Sequence, residues 1–239
     1  MKKFIRTISL ILLAALLCGM IAFVFAPPAH AMELEYIDYT EEDGVITVNS
    51  PPNYYQNYFY YSFLPYGGGT LGSSGCGITC MAMVATYVLD DITLTPDVLA
   101  MEYGTYKGTN IDKMEAAAND YDIPFTKTHK WKEVVSALKK GGMAIVLVNE
   151  ATDFTDKQHF ILITEIKDDK LMINDPNYRN YEPMQSKFEN GFEQWQVIEG
   201  FQGAWIFYKD QESEITEPIL KPFIWVDPTP DMKNKPHIQ

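Results

Sequence analysis

Residues 73–84, Ser-Ser-Gly-Cys-Gly-Ile-Thr-Cys-Met-Ala-Met-Val, join a glycine-rich loop to an apolar helical run, with a cysteine at the join. The apolar positions at Met81, Val84, Ala85 and Val88 predict a buried helix that starts near Gly75 and ends at Asp90-Asp91. Any fold of this chain must wrap its core around that helix. Cys76 then stands in the first turn, where unpaired N–H groups and the positive end of the helix dipole lower a thiol's pKa. A nucleophile in that position needs a base, a group to orient the base, and donors for an oxyanion.

The segment before the helix bears on where such chemistry takes place. Lys2, Lys3 and Arg6 precede an apolar run from Ile8 to Ala26 and a small-residue exit, Ala29-His30-Ala31. This pattern predicts a secretory signal peptide over residues 1–31, cleaved after Ala31, and hence a secreted or cell-surface protein. An uncleaved anchor is the alternative, since about 18 apolar residues can span a bilayer, and a membrane is a partner only in that case. Cys18 lies inside the run, preceded by Leu17 where a lipid-attachment signal wants a small residue, and reads as a small apolar residue of the segment. The net charge of −13 becomes −16 without the three basic residues of 1–31, which argues against nucleic acid or an anionic membrane as partner and mildly favours cationic ligands.

Cys76 and Cys80 are then the remaining cysteines, too few for a disulfide framework. Their i, i+4 spacing places both on one helix face at a Cβ separation a disulfide does not tolerate. One Cys-x-x-x-Cys with no nearby histidine supplies too few metal ligands, so neither metal nor cofactor is expected. Cys80 reads as a buried packing residue.

Residues 32–52 read as an acidic N-terminal arm or edge strand around Val45-Ile46-Thr47-Val48, and 54–69 as a packed aromatic and glycine-rich loop. Thr95-Pro96-Asp97 and Gly108-Thr109-Asn110 have the form of helix starts, and a further helix fits 131–140, closed by Gly141-Gly142. From Met143 the pattern turns to strands over 143–148, 159–166, 170–175 and 204–208. Helices first and sheet second predict an α+β fold, helical in its first half, with the nucleophile's helix packed on an antiparallel sheet. Prolines at 218, 222, 228, 230 and 236 make residues 209–239 a Pro-rich tail, an extended strap or a frayed end.

Few histidines can serve as the base. His30 falls in the signal segment, His237 lies near the C-terminus, and His129 sits in the polar stretch Lys127-Thr128-His129-Lys130 as a solvated residue. His159 opens the apolar run Phe160-Ile161-Leu162-Ile163 at the rim of a core, where a base belongs if the sheet faces the nucleophile's helix. The bland alternative is a histidine hydrogen-bonded at a strand end. An odd hairpin loop around Lys167-Asp168-Asp169 would place position 175 opposite 161, so that His159, Ile161, Ile163, Ile173 and Asp175 share one face. An even loop would send Asp175 to the other face unless a bulge compensated. Asp175-Pro176 can also be read simply as a turn.

Pro65-Tyr66-Gly67, Ser74-Gly75-Cys76-Gly77, Met81-Ala82-Met83-Val84, His159-Phe160 and Asn174-Asp175-Pro176, in that order, resemble the bacteriocin-processing (double-glycine leader) branch of the papain-like cysteine peptidases. The resemblance covers residues 53–208 and implies a papain-like peptidase domain, here as a stand-alone secreted member. It implies a cysteine at the start of a central helix, a histidine at a strand start and an Asp orienting the imidazole. It also implies an upstream glutamine helping the cysteine's backbone N–H form the oxyanion hole; Gln56 matches that place, with Gln158 as the fallback. The chain departs from the pattern at Ile78 (commonly Pro), Gln158 (often Gly) and Tyr61 (usually Trp), which bears on substrate preference more than on catalysis. The expected activity is hydrolysis of peptide bonds in a peptide or protein substrate through a thioester. A thiol-dependent amidase or transpeptidase acting on cell-wall amides, and an inactive binding module of the same fold, are the alternatives.

Overall fold

The computed structural model describes residues 37–209. The predicted signal segment, the first residues of the predicted arm and all but the start of the Pro-rich tail lie outside the described residues.

The chain opens with a two-stranded hairpin, β1 (Tyr39–Glu42) and β2 (Val45–Val48), turned by Asp43 and Gly44 at positive φ. The expected edge strand is thus a hairpin of its own, not part of the main sheet. Its end is latched where Asp90 Oδ1 accepts from the Val48 N–H and from Lys209 Nζ, each at 2.6 Å. After a run of turns come the short pair β3 (Pro65–Tyr66) and β4 (Gly69–Thr70), then the single turn α1 (Leu71–Ser74).

The predicted buried helix is α2 (Cys76–Leu89), and Asp90 ends it in a left-handed conformation at φ 54°. Every residue from Gly77 to Thr86 is buried. Each large apolar side chain so buried contributes about 1.5–3 kcal/mol. Helices α3 (Pro96–Tyr103) and α4 (Asn110–Asp120) pack against it. Both begin at the threonines read from sequence: Thr95 precedes Pro96, and Thr109 exchanges capping bonds with Asp112.

The main sheet has the order β5-β9-β6-β7-β8 and is antiparallel throughout: β5 (Thr126–Thr128), β6 (Met143–Asn149), β7 (Gln158–Lys167), β8 (Lys170–Asn174) and β9 (Phe201–Phe207). Helix α5 (Trp131–Leu138) precedes β6, while α6 (Tyr181–Asn190) and the turn α7 (Trp195–Ile198) separate β8 from β9. The expected α+β class therefore holds. β5, α6 and α7 carried no periodic signal, because they are short, polar or kinked.

Alternation along β6 and β7 divides the core in two. Ile145, Leu147, Phe160 and Leu162 join the cluster built around α2, whereas Val146, Val148, Ile161, Ile163 and Ile173 join a second cluster with Val134, Phe188 and Phe192. Ile161, Ile163 and Ile173 share a face, as expected, but it is the face turned away from α2.

The hairpin takes the even one of the two loop alternatives, with the compensating bulge. Lys167 pairs with Lys170 across a two-residue turn, Asp168-Asp169, both at positive φ, so the loop is even. A bulge at Thr164 then resets the pairing, from Glu165↔Met172 to Ile163↔Ile173 and Leu162↔Asn174. The extra residue restores the register that an odd loop would have produced.

Candidate active site

Cys76 is the first residue of α2, held there by a junction that excludes side chains. A Cβ on Gly75 would lie 2.3 Å from Leu71 Cδ1 and 2.5 Å from the Leu71 carbonyl oxygen. A Cβ on Gly77 would press on the Phe160 ring at 3.2 Å, so glycine here lets the helix start settle onto β7. β8 stops at Asn174, opposite Leu162, and leaves the outer edge of β7 open at Phe160 and His159. The helix start meets the sheet at that open edge. The body of α2 packs on the sheet face that bears Phe160 and Leu162, as expected, and the reacting groups gather at the edge beyond the end of β8.

His159 is buried, and its Nε2 lies 2.6 Å from Asp175 Oδ1. With Nε2–H donated to the carboxylate, Nδ1 is the ring nitrogen left for the thiol, and the Cys76 and His159 side chains are hydrogen-bonded to one another. Asp175 is 2 % exposed, and it also accepts from the Asn177 N–H at 2.8 Å and from Asn180 Nδ2 at 2.7 Å.

The electrostatics of the two reacting groups oppose their burial. Burial pushes the Cys76 thiol up, yet the His159 hydrogen bond and charge, with the Phe160 and Gly77 backbone N–H groups, bring it below the ordinary thiol value. Burial likewise disfavours charged His159, but the Asp175 carboxylate and the Cys76 sulfur raise it to about 10. Both shifts favour a thiolate beside an imidazolium.

Gln56 is buried between the two halves of the site. Its backbone N–H donates to the Pro176 carbonyl at 2.7 Å and its Nε2 to the Gly72 carbonyl at 2.9 Å. The Gly72 acceptor identifies which end of the amide faces it. One Nε2 hydrogen is committed to this bond, and Oε1 is buried without a partner. Gln158 is exposed at the start of β7, paired with Asn149, and takes no part. His129 is exposed, with Nδ1 2.8 Å from the Gln202 carbonyl. Cys80 is fully buried one helical turn below Cys76, and burial pushes its thiol well above the ordinary range. Both cysteines are free thiols.

Sequence reasoning did not single out Asn177, Asn180 or the Phe160 N–H. The asparagines sit in a polar run, Asn177-Tyr178-Arg179-Asn180, that reads only as a turn, and a backbone N–H has no sequence signal. Among the described residues no group of His, Cys, Asp and Glu could hold a metal ion, and no helix is long and apolar enough to cross a membrane.

An acidic thiol beside an imidazole and a buried carboxylate, at a helix start on an antiparallel sheet, defines the cysteine-hydrolase class of site. A model of the Peptidase_C39 like family matches residues 48–211, and the chain belongs to that family. Similar solved structures include the peptidase domain of Streptococcus ComA, a bi-functional ABC transporter involved in quorum sensing. It is 15% identical over 58% of this chain and 93% of the other, at a TM-score of 0.43. A structure described as a C39-like peptidase from Bacillus anthracis is 17% identical, covering 68% of this chain and 96% of the other, at a TM-score of 0.40. A double glycine motif protease from an AMS/PCAT transporter, in complex with the leader peptide, is 21% identical, covering 57% and 84%, at a TM-score of 0.37. No curated protein matches the sequence.

Proposed function

We propose that the protein is an exported cysteine peptidase that cleaves peptide bonds through Cys76, His159 and Asp175. The observation that carries this reading is the chain of contacts from the Cys76 thiol through the His159 ring to the Asp175 carboxylate, with His159 Nε2 2.6 Å from Asp175 Oδ1. The Cys76 thiolate attacks the substrate carbonyl carbon, and the carbonyl electrons move onto oxygen. The Cys76 backbone N–H and the uncommitted Gln56 amide hydrogen stabilise that oxyanion. The oxyanion collapses to a thioester as the His159 imidazolium gives its proton to the leaving amine nitrogen. Water then attacks the thioester, His159 takes a proton from it, and Cys76 leaves as the thiolate. Asp175 keeps the Nε2–H tautomer and stabilises the imidazolium throughout.

Export is supported by the basic start, the apolar run and the Ala29-His30-Ala31 exit. Expression of the full chain in a bacterial host, followed by N-terminal sequencing of the protein in the medium, tests it; a chain starting at Met32 is expected. For the reaction, hydrolysis of an unfolded protein is compared with that of peptidoglycan fragments. Cleavage of the protein alone, lost at least about a thousandfold in Cys76→Ala, is expected. Cleavage of the fragments alone would transfer the mechanism to a cell-wall amidase. An unchanged rate in Cys76→Ala would end the catalytic reading.

A further inference from the structure

We propose that Asn180 and the Asn57–Asn177 pair are the positioning device of this site: Asn180 pins the Asp175 carboxylate, and Asn57 ties the Gln56 segment to the same turn. The inference rests on the roles assigned above to Cys76, His159, Asp175 and Gln56.

Both carboxylate oxygens of Asp175 are engaged, but unequally. Oδ1 is shared by His159 Nε2 and the Asn177 N–H, whereas Oδ2 is held by Asn180 Nδ2 at 2.7 Å. Removing the Asn180 amide would leave the carboxylate gripped by one oxygen, able to rotate about its Cβ–Cγ bond and to swing Oδ1 off the imidazole. Asn180 is itself fixed. Its Nδ2 also donates to the Phe154 carbonyl at 2.7 Å, so both amide hydrogens are used, and its Oδ1 accepts from Asn177 Nδ2 at 3.4 Å.

The same turn carries the oxyanion side. The Gln56 N–H donates to the Pro176 carbonyl, Asn57 Nδ2 donates to Asn177 Oδ1 at 2.8 Å, and the Tyr178 N–H donates back to Asn57 Oδ1 at 3.3 Å. Residues 56–57 and 176–178 are therefore pinned together, although about 120 residues separate them in the chain. None of the three asparagines is assigned contact with reacting atoms. They act through Asp175 and Gln56, which are set by one hydrogen-bonded turn and move together if it moves.

Two variants of the full chain separate the two arms. For each, the rate of Cys76 alkylation by iodoacetamide is followed against pH, and kcat and KM are measured on an unfolded protein substrate, with Asp175→Ala as reference. In Asn180→Ala the imidazolium loses its aligned partner. A less stabilised imidazolium leaves less thiolate, so the acid limb of the alkylation profile should move to higher pH and kcat should fall about tenfold, with KM changed less than about twofold. Asn180→Ser, which keeps a short donor, should recover part of both. In Asn57→Ala the profile should stay that of the wild type while kcat falls several-fold, because only the oxyanion side is loosened.

A wild-type profile in Asn180→Ala, where Asp175→Ala shifts it, overturns the inference and leaves the triad reading standing. If Asp175→Ala shifts nothing either, both fall. Thermal denaturation reports folding, and should Asn180→Ala fail to fold, an unshifted Asn180→Ser profile is equally fatal.

Discussion

Cys76 and His159 owe their chemistry to a contest that burial loses. Each would be neutral if burial acted alone, and each is drawn toward its charged form by the other, with the Asp175 carboxylate and two backbone N–H groups adding to the pull. The reactive form is the thiolate–imidazolium pair, which fixes the sign of the pH dependence. Falling pH protonates a thiolate whose pKa is lowered, so alkylation should persist below the ordinary thiol range. Rising pH removes the imidazolium proton near the raised value of about 10 and brings the basic decline of hydrolysis, whose leaving amine needs that proton, while alkylation of the thiolate continues. Cys80, buried with its thiol pushed up, should stay unlabelled in the folded chain, and mass mapping after brief iodoacetamide treatment checks both statements. Gln56→Ala should lower kcat on the order of a hundredfold with a smaller effect on KM, the mark of a donor used in the transition state. An equal loss confined to KM would remove Gln56 from the oxyanion hole.

At the scale of elements, the hairpin β7–β8 shows how local chemistry sets a distant geometry. Its two-residue turn places Asp168 and Asp169 at φ 51° and 62°, and taken alone such a turn would send position 175 to the wrong face. The bulge at Thr164 reverses that parity. Deleting Thr164 takes out the extra residue yet keeps Ile163 opposite Ile173 and Leu162 opposite Asn174, so the hairpin should lose stability as its bend flattens while activity stays within about tenfold, because Asp175 still reaches His159. Circular dichroism and peptide hydrolysis measure the two halves of that statement. Asp169→Gly should act in the opposite way, relieving a left-handed aspartate and raising stability by about 0.5–1 kcal/mol in a denaturant titration, with kcat unchanged. The junction of α1 and α2 is less forgiving. Gly75→Ala would set a methyl against the Leu71 backbone, and a loss of at least about 2 kcal/mol is expected.

For the whole molecule, the site lies at a seam. α2 belongs to one hydrophobic cluster, while the strands that bear His159 and lead to Asp175 line the other cluster with Ile161, Ile163 and Ile173. The two clusters share the sheet, and nucleophile and base meet only where β8 ends. Charge acts at this scale too. At −13, the chain should draw basic peptides faster than acidic ones. The preference in kcat/KM should shrink between low salt and about 0.5 M, where the Debye length falls below roughly 5 Å; a preference unmoved by salt would place selectivity in local contacts.

The sequence by itself determined the residues with intrinsic chemical or periodic signatures. Cys76 at a helix start, His159 at a strand start, Asp175 before a proline, the buried α2 and the α+β order all follow from spacing, capping and apolar period. Gln56 followed from resemblance. The tertiary structure decided what depends on contacts between distant segments. These are the parity of the β7–β8 register, the placing of the α2 start beside an open sheet edge, and the grip of Asn180 and Asn177 on the Asp175 carboxylate. A bulge, an open edge and an asparagine amide have no pattern along the chain. Each is fixed by hydrogen bonds whose partners are brought together only by folding.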